Sequence, residues 1–510
     1  MKLEFHGSKV APDAGSLAYP ELDEASSSTI LHRPLTPMVL VTAVLACLAW
    51  ALLSPTANAT DTNLTWTATD VNLMWNGYVS DFYNTDGAGY YVFNPQAGDA
   101  AITGFWEEAE EIEMAEDGYN WATRENNRFG NGADIAGKIN TICIGFTNHN
   151  GVFWSADAYD DDKNWAEIAF ARACQITGNN KWLGVATNNF NYVWKYGQVK
   201  GVTNGSWGLT QITNTERMYA NVNFTFVIAG YLLYDITGNS TYKSEADAVF
   251  NWSKTNLYVY NHEPAKNGST NVCSMIYNYN DSEFGKDIQN RDCMYNYGTA
   301  IQAAYFEHDT NMAVTVANWM IYNVDADPAG DGVPYAGTCD GYNVLPDYGA
   351  GTDNGANDCG YDGIGLRGFG VALRNGLLTN PDALPFAEAN LQSAWNHRGP
   401  DNVEWCGWTT SPSGTKYSWG DSSAMAGMFD VPAEDVSEST PVLSIKYSGD
   451  EAILFWPSDS TGFVLQQSGG LTAANWVDAT NLVNVVGNEN QAIISPASGN
   501  VFYRLKSQSP

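Results

Sequence analysis

Residues 160–179 read Asp160-Asp161-Asp162-Lys163-Asn164-Trp165-Ala166-Glu167-Ile168-Ala169-Phe170-Ala171-Arg172-Ala173-Cys174-Gln175-Ile176-Thr177-Gly178-Asn179. Trp165, Ile168, Ala169, Ala173 and Ile176 recur at i, i+3 and i+4, the stripe of a helix that faces a core. Gly178 stands where a helix end calls for a left-handed residue. The same punctuation returns sixty positions later as Ile236-Thr237-Gly238-Asn239. After each turn an aromatic opens an amphipathic helix, with Trp182, Val185, Asn189 and Val193 in the first and Tyr242, Ala246, Val249 and Phe250 in the second. Looser echoes stand at His308-Asp309-Thr310 and Leu378-Thr379-Asn380. The segment from Val222 to Tyr234 is apolar nearly all round, as a helix covered on every side must be. Buried inner helices alternating with one-faced outer helices predict an all-α barrel of helical hairpins.

The three acids that open the stretch have two readings. Asp is a favoured N-cap and anions suit the first turn, so an acidic cluster before a helix reads first as a cap and a solvated turn. With about 100° per residue and the helix already running at Asp161, Asp161 lies roughly 40° from Trp165, Asp162 roughly 60° away on the other side and Asp160 roughly 140° off. Two acids therefore flank the buried stripe where a cap needs one. Asp160 is left for capping. Paired carboxylates at a short separation are the working parts of glycoside hydrolysis, one attacking or activating water while the other shuttles a proton.

A chain of 510 residues has room for one large catalytic unit and a small appendage. With 57 acids against 24 bases the formal charge is -33, which repels nucleic acid and anionic membrane surfaces and excludes nucleic-acid binding. The 18 Trp and 28 Tyr suit the apolar faces of sugar rings, although buried aromatics in a helical barrel give the same count. An apolar run from Met38 to Leu53 follows His32 and Arg33 and ends near Ala57-Asn58-Ala59, a small-x-small cleavage pattern. Residues 1–59 thus read as a tail and secretory signal, with Thr60 the new N-terminus and a secreted, periplasmic or cell-surface location. The acidic tail in front of the run (Asp13, Glu21, Asp23, Glu24) is unusual for such a segment. The run is shorter than the roughly 20 residues that span a bilayer comfortably, which favours cleavage over an anchor. The apolar residues after Cys47 argue against a lipid anchor there. Beyond the signal stand Cys143, Cys174, Cys273, Cys293, Cys339, Cys359 and Cys406, an odd set that leaves one thiol over. Cys273 with Cys293 and Cys339 with Cys359 are the candidate loop-stapling bridges. No spacing resembles a zinc site, and no metal or cofactor is expected.

Between about Asp325 and Asp362 the helical pattern lapses into a Gly- and Asp-rich stretch containing Asp325, Asp327, Asp331, Asp340, Asp347, Asp353 and Asp358. Its start resembles a calcium loop, but Ala329 and Ala336 occupy ligand positions, so it is no EF-hand. It reads as a long solvated loop near a cleft. Past Met428 the texture changes. Residues 60–430 form the barrel domain, residues 431–441 read as a linker, and residues 442–510 carry short strands separated by Gly, Asp, Ser and Asn turns. The tail is predicted to be a small all-β sandwich. It resembles a terminal module of secreted proteins of Verrucomicrobia and related bacteria in Trp456-Pro457, Phe463-Val464-Leu465-Gln466, Asn475-Trp476 and Phe502-Tyr503-Arg504-Leu505.

Five patches within the region from about Trp106 to Trp408 resemble glycoside hydrolase family 76, the bacterial endo-α-1,6-mannanases. They are Phe105-Trp106-Glu107-Glu108-Ala109-Glu110, Asp161-Asp162-Lys163-Asn164-Trp165, Ala220 to Asn223, Tyr295-Asn296-Tyr297-Gly298, and Gly363-Ile364-Gly365-Leu366-Arg367, with a weaker sixth at Ala394-Trp395-Asn396-His397-Arg398. The resemblance implies an (α/α)6 barrel, retaining cleavage of α-mannan, Asp161 as nucleophile and Asp162 as acid/base. Asn223, Tyr295, Asn296 and Arg367 occupy matched positions that could line the cleft or serve as structural hydrogen-bond partners, with Arg367 bonding a carboxylate or a sugar hydroxyl. Trp154 and Trp165 are candidate stacking platforms, core packing being favoured for Trp165. A related α-glycosidase or transglycosylase on the same barrel, and a non-catalytic carbohydrate-binding surface protein, are the competing functions.

Overall fold

The structure, a computed structural model, describes residues 66–197, 208–212, 217–281, 285–287, 293–324, 335–346, 359–432, 443–448, 451–458, 463–468, 476–480, 482–486, 489–494 and 501–507. The expected signal segment, most of the linker and most of the Asp- and Gly-rich stretch lie outside the described residues. Among those residues no helix is long and apolar enough to cross a membrane.

Helix α1 (Ala68–Phe82) begins on a reciprocal cap in which Thr67 and Asp70 satisfy each other's backbone N–H groups. It is followed by α2 (Phe105–Arg124), α3 (Gly132–Asn150), α4 (Asp160–Thr177), α5 (Asn180–Gly197), α6 (Ala220–Thr237), α7 (Ser240–Asn256), α8 (Met294–Phe306), α9 (Thr310–Tyr322), α10 (Tyr361–Arg374), α11 (Ala383–Asn396), the short α12 (Ser418–Asp421) and α13 (Ser423–Asp430). Helices α2, α4, α6, α8, α10 and α13 pack each against the next, and α13 returns to α2. The ring is closed. Helices α3, α5, α7, α9, α11 and α1 back it from outside, which makes the domain an (α/α)6 barrel. Gly178 and Gly238 end α4 and α6 in the left-handed region, at φ 67° and 68°, as their shared Thr-Gly-Asn punctuation requires.

The inner helices are buried almost all round, and two of them touch backbone to backbone. A Cβ on Gly298 of α8 would run into the Ile364 carbonyl, and one on Gly368 of α10 would run into the Gly298 carbonyl. The Gly363-Ile364-Gly365 of the matched patch answers to the same close packing, since a Cβ on Gly363 would meet the Ser423 carbonyl and one on Gly365 the Met294 side chain.

Polar charge also fills the barrel axis. Arg172 of α4 bonds Asp117 (2.5 Å) and Glu113 (3.2 Å) of α2, and Arg367 of α10 bonds Asp117 (2.6 Å) and Glu110 (2.5 Å). Arg367 does bond carboxylates as expected, and they are those of the core of α2, not those of the acid pair. Burial works against the Asp117 anion, yet the two guanidinium groups outweigh it and hold Asp117 below the usual carboxylate range. For the other buried acids desolvation wins, even where an arginine is near, as at Glu113 and Glu116. Burial pushes Glu111 and Glu113 up to about 8 and Glu108, Glu116, Glu167 and Glu404 well above the ordinary value.

The C-terminal region is two antiparallel sheets. One runs in the order Ser444–Ser448, Glu451–Pro457, Glu489–Ile494, Val483–Val486 and the other Val477–Asp478, Phe463–Ser468, Phe502–Ser507. Leu454, Trp456, Ala492 and Ile494 of the first meet Leu465 of the second in a small common core. That is the expected sandwich. Of its matched residues, Arg504 lies over the Trp476 ring, 4.4 Å from its centre, and donates to Gln466 at 2.8 and 3.0 Å.

Neither expected disulfide forms. Cys273 and Cys339 are unbridged thiols, the first buried in the strand Val272–Ile276 with its sulfur turned to the Asn271 carbonyl, the second beside Asp340. Cys359 instead faces Cys406, sulfur to sulfur at 2.8 Å.

Two predictions follow from the packing and the buried acids. Gly298→Ala lowers unfolding free energy by about 1–3 kcal/mol or more, whereas Gly184→Ala, in open space on the outer helix α5, raises it by roughly 0.5–1 kcal/mol; urea titration of both variants measures the contrast. The second concerns pH. A carboxyl that binds its proton more tightly in the native state than unfolded contributes stability that is complete below its unfolded value, about 4.3 for Glu, and is lost as pH rises through its native value. With Glu111 and Glu113 at about 8, the thermal midpoint falls from about pH 5 to about pH 8.5. Surface repulsion has the same sign but is screened, so calorimetry in about 0.5 M salt must retain the decline. A midpoint that is flat in salt means these acids are not held neutral.

Candidate active site

Each inner helix brings its N-terminus to the same end of the barrel. Trp106 is the second residue of α2, Asp161 of α4, Asn221 of α6 and Tyr295 of α8, while Tyr361 is the first of α10. These residues, with Tyr159, Asp162, Trp165 and Gln211, line a cavity of about 370 Å³. Among the described residues that line it, none is basic. Trp419, second in α12, backs Trp106 edge to face with ring centres 4.7 Å apart, and Tyr361 does the same for Tyr295 at 4.3 Å.

The start of α4 is fixed by its neighbours on both sides. Tyr159 is extended and bridges Ile212, and the Asp160 N–H donates to the Gln211 carbonyl at 2.6 Å. The helix has no side-chain cap. Asp160 is buried and accepts from Lys163 Nζ at 3.1 Å, while the same ammonium reaches the Tyr159 carbonyl at 2.9 Å. The capping role expected for Asp160 is thus replaced by an internal ion pair, because the segment around Gln211 covers the helix end and leaves no solvated turn. Asn164, one turn on, donates to the Val222 carbonyl (2.8 Å) and ties α4 to α6.

Asp161 Oδ2 accepts from Gln211 Nε2 at 2.9 Å and from Asn221 Nδ2 at 2.5 Å. Burial pushes this carboxyl up to about 6, against the pull of Gln211 and of the Asp161 and Asp162 N–H groups. Burial also raises Asp162, and the adjoining charge of Asp161, then Asp157 and Glu107, carry it further, to about 9. The two titrate as one system. Both are held above the usual carboxylate range, Asp162 further than Asp161, and the two amides and the helix N-terminus favour the anion at Asp161. An acid beside a carboxylate in a recessed cleft is the equipment of a glycosidase.

Of the other residues expected at the cleft, Tyr295 lines it and four do not. Trp154 is 2% exposed and packs edge-on against Phe105, Phe146 and Phe170. Asn223 lies two positions beyond Asn221, about 200° round the helix, and so faces away; it brackets Leu209, accepting from its N–H at 2.8 Å and donating to its carbonyl at 2.9 Å. Asn296 donates to Asn278 Oδ1 at 3.0 Å, and the Asn278 carbonyl accepts the Ala220 N–H at 2.8 Å. Arg367 is in the axial network described above. Trp165 belongs to the core and also lines the cavity. Trp106, Tyr159, Gln211, Asn221 and Tyr361 escaped the sequence reading. Trp106 and Asn221 lie inside matched patches, and their equivalent places at the starts of inner helices were a usable signal.

Comparison with known proteins agrees with the barrel fold. The α-1,6-mannanase of Salegentibacter sp. HEL1_6 superposes with a TM-score of 0.56 at 18% identity, over 71% of this chain and 98% of that one. A Listeria innocua protein gives 0.55 at 17% identity over 71% and 96%, and a family 76 mannosidase of Bacteroides thetaiotaomicron 0.51 at 12% over 71% and 96%. At such identities the likeness concerns the fold. An inactive variant of the Salegentibacter enzyme, with two consecutive aspartates replaced by asparagine, is solved in complex with α-1,6-mannotriose. Among curated proteins none matches this chain. The sequence model of glycosyl hydrolase family 76 matches residues 103–436. That span takes in every inner helix of the ring and most of the chain, and the protein is therefore a member of glycosyl hydrolase family 76, a glycoside hydrolase.

Proposed function

We propose that the protein is an endo-acting α-1,6-mannanase that hydrolyses mannan backbones with retention. The observation that carries the proposal is the unequal acid pair: Asp161, anchored and ionised, beside Asp162, protonated, in a cleft walled by aromatic rings and free of lining cations. Asp161 attacks the anomeric carbon as the bond to the departing oxygen breaks, and the Asp162 proton passes to that oxygen. Water then enters, gives its proton back to Asp162 and displaces Asp161 from the anomeric carbon. Two inversions restore the starting configuration. Trp106, Trp165 and Tyr361 offer ring faces and edges to the apolar sides of a neutral sugar, and the absence of basic lining residues disfavours a uronate. The choice of mannose and of the α-1,6 linkage is supported by the matched patches and by the sugar bound to the Salegentibacter variant. Export belongs to the same proposal, carried by the apolar run Met38 to Leu53.

Purified protein incubated with α-1,6-mannan releases manno-oligosaccharides on chromatography, with α-anomers first by NMR, and leaves α-glucans intact. Asp161→Asn lowers kcat by about 10³-fold or more and Asp162→Asn by about 10²–10⁴-fold. Release of gluco-oligosaccharides assigns a different sugar, β-anomers appearing first exclude retention, and intact mannan overturns the proposal. The profile of kcat/KM against pH is a bell, its acid limb near 6 from Asp161 and its basic limb near 9 from Asp162.

A further inference from the structure

Two amide side chains from outside α4 converge on one oxygen of Asp161. Asn221 approaches from the first turn of α6 and Gln211 from the segment Gly208–Ile212, both onto Oδ2. The orientation of Asn221 is fixed by its other end: its Oδ1 accepts the Val222 N–H at 3.0 Å, so the NH₂ must be the group turned to Asp161. Asp161 Oδ1 is equally buried and, among the described residues, has no hydrogen-bond partner. A carboxylate held by charge-assisted bonds on one oxygen is fixed in rotation about its Cβ–Cγ bond, and the lone pairs of the other stay uncommitted. The Gln211 segment is in turn held at Leu209 by Asn223, at Thr210 by the Gly197 carbonyl (3.0 Å) and at Gln211 by the Asp160 N–H.

We propose that Asn221 and Gln211 are positioning residues that hold Asp161 by Oδ2 and thereby assign Oδ1 as the attacking oxygen, with Asn223 setting Gln211 through the Leu209 backbone. The proposal rests on the glycosidase reading above but makes a separate claim about the carboxyl itself. In the attack step Oδ1 forms the bond to the anomeric carbon, the glycosidic oxygen leaves with its electron pair and takes the Asp162 proton, and Oδ2 becomes the carbonyl oxygen of the glycosyl ester. Amides that donate to Oδ2 also restrain the ester for the second step. The groups that bear on Asp161 besides them are Asp160 and Asp162 on its own helix and Tyr295 from α8, with Asp157 and Glu107 acting on Asp162. None of these others donates to Oδ2.

The test compares wild type with Gln211→Ala, Asn221→Ala and the double variant, with Asn221→Ser added as the variant whose hydroxyl can still accept the Val222 N–H and so preserve the helix start. Two readouts are taken. The first is kcat and KM on α-1,6-manno-oligosaccharides across pH. Each single variant loses about 10–100-fold in kcat with KM within about threefold, and the acid limb moves upward because the donors that favour the carboxylate are gone. The double variant falls short of the product of the singles, since both amides share one acceptor. The second readout needs no sugar: carbodiimide labelling of Asp161 followed across pH by peptide mass spectrometry, whose midpoint rises in the variants. Asn223→Ala gives the Gln211→Ala phenotype in weaker form and adds little to it. A wild type inert on mannan with a midpoint that still rises removes the sugar assignment and keeps the positioning roles. An active wild type whose variants keep the acid limb, the labelling midpoint and kcat overturns the positioning proposal.

Discussion

The barrel depends on Asp117 being shared by two arginines. Arg172 comes from α4 and Arg367 from α10, so one carboxylate of α2 joins three of the six inner helices. The pairing has to be complete in order to be tolerated. A buried charge stripped of its partner costs several kcal/mol, and one fully bonded on both oxygens costs far less. Glu110 and Glu113 add contacts to the arginines, but two positive charges cannot hold four acids ionised, and the surplus is met by proton uptake. The formal charge of -33 therefore overstates what the folded molecule carries.

This network lies far from the cleft along the same helices. Arg172 is eleven residues after Asp161 in α4, and Asp117 eleven after Trp106 in α2, each a rise of roughly 16 Å. Cleft residues occupy the first turn of their helices and the charged residues a deeper level. A lateral slip of α2 against α4 would misplace both levels together. The glycines between α8 and α10 impose the same constraint by contact, since carbonyls occupy the space a Cβ would need.

Much of this was legible in the sequence, and the failures share a cause. The alternation of all-round apolar helices with one-faced ones gave the barrel, and the helical wheel put Asp161 and Asp162 on either side of the buried stripe that holds Trp165. For Arg367, Asn223 and Asn296 the structural one of the two open readings holds, and the stacking candidate Trp154 is packed among aromatic rings; residue type alone did not tell cleft from frame. Angle separates the two cases: Asn221 and Asn223 share a turn and point opposite ways. Gln211 could not have been found by helical phase at all, because it sits on an irregular segment whose course depends on backbone bonds to Gly197 and Asp160 and on the Asn223 side chain that holds Leu209. The cysteine pairing failed for a similar reason, short sequence separation being a poor guide to which thiols the loops bring together.

Two adjacent aspartates start as chemical equals, and α4 alone gives no reason for them to differ in role. Both sit in its first turn and both feel its N-terminal field. What differs is what the rest of the barrel brings up to each. Asp161 receives two amides from α6 and its preceding segment; Asp162 receives the negative neighbourhood of Asp161, Asp157 and Glu107. The first environment favours an anion and the second a neutral acid. The division of labour we propose for the pair is accordingly a property of α2, α6 and the segments before α4 and α6. The supporting asparagines at positions 223 and 296, which touch no part of the cleft, matter because they fix where those segments run.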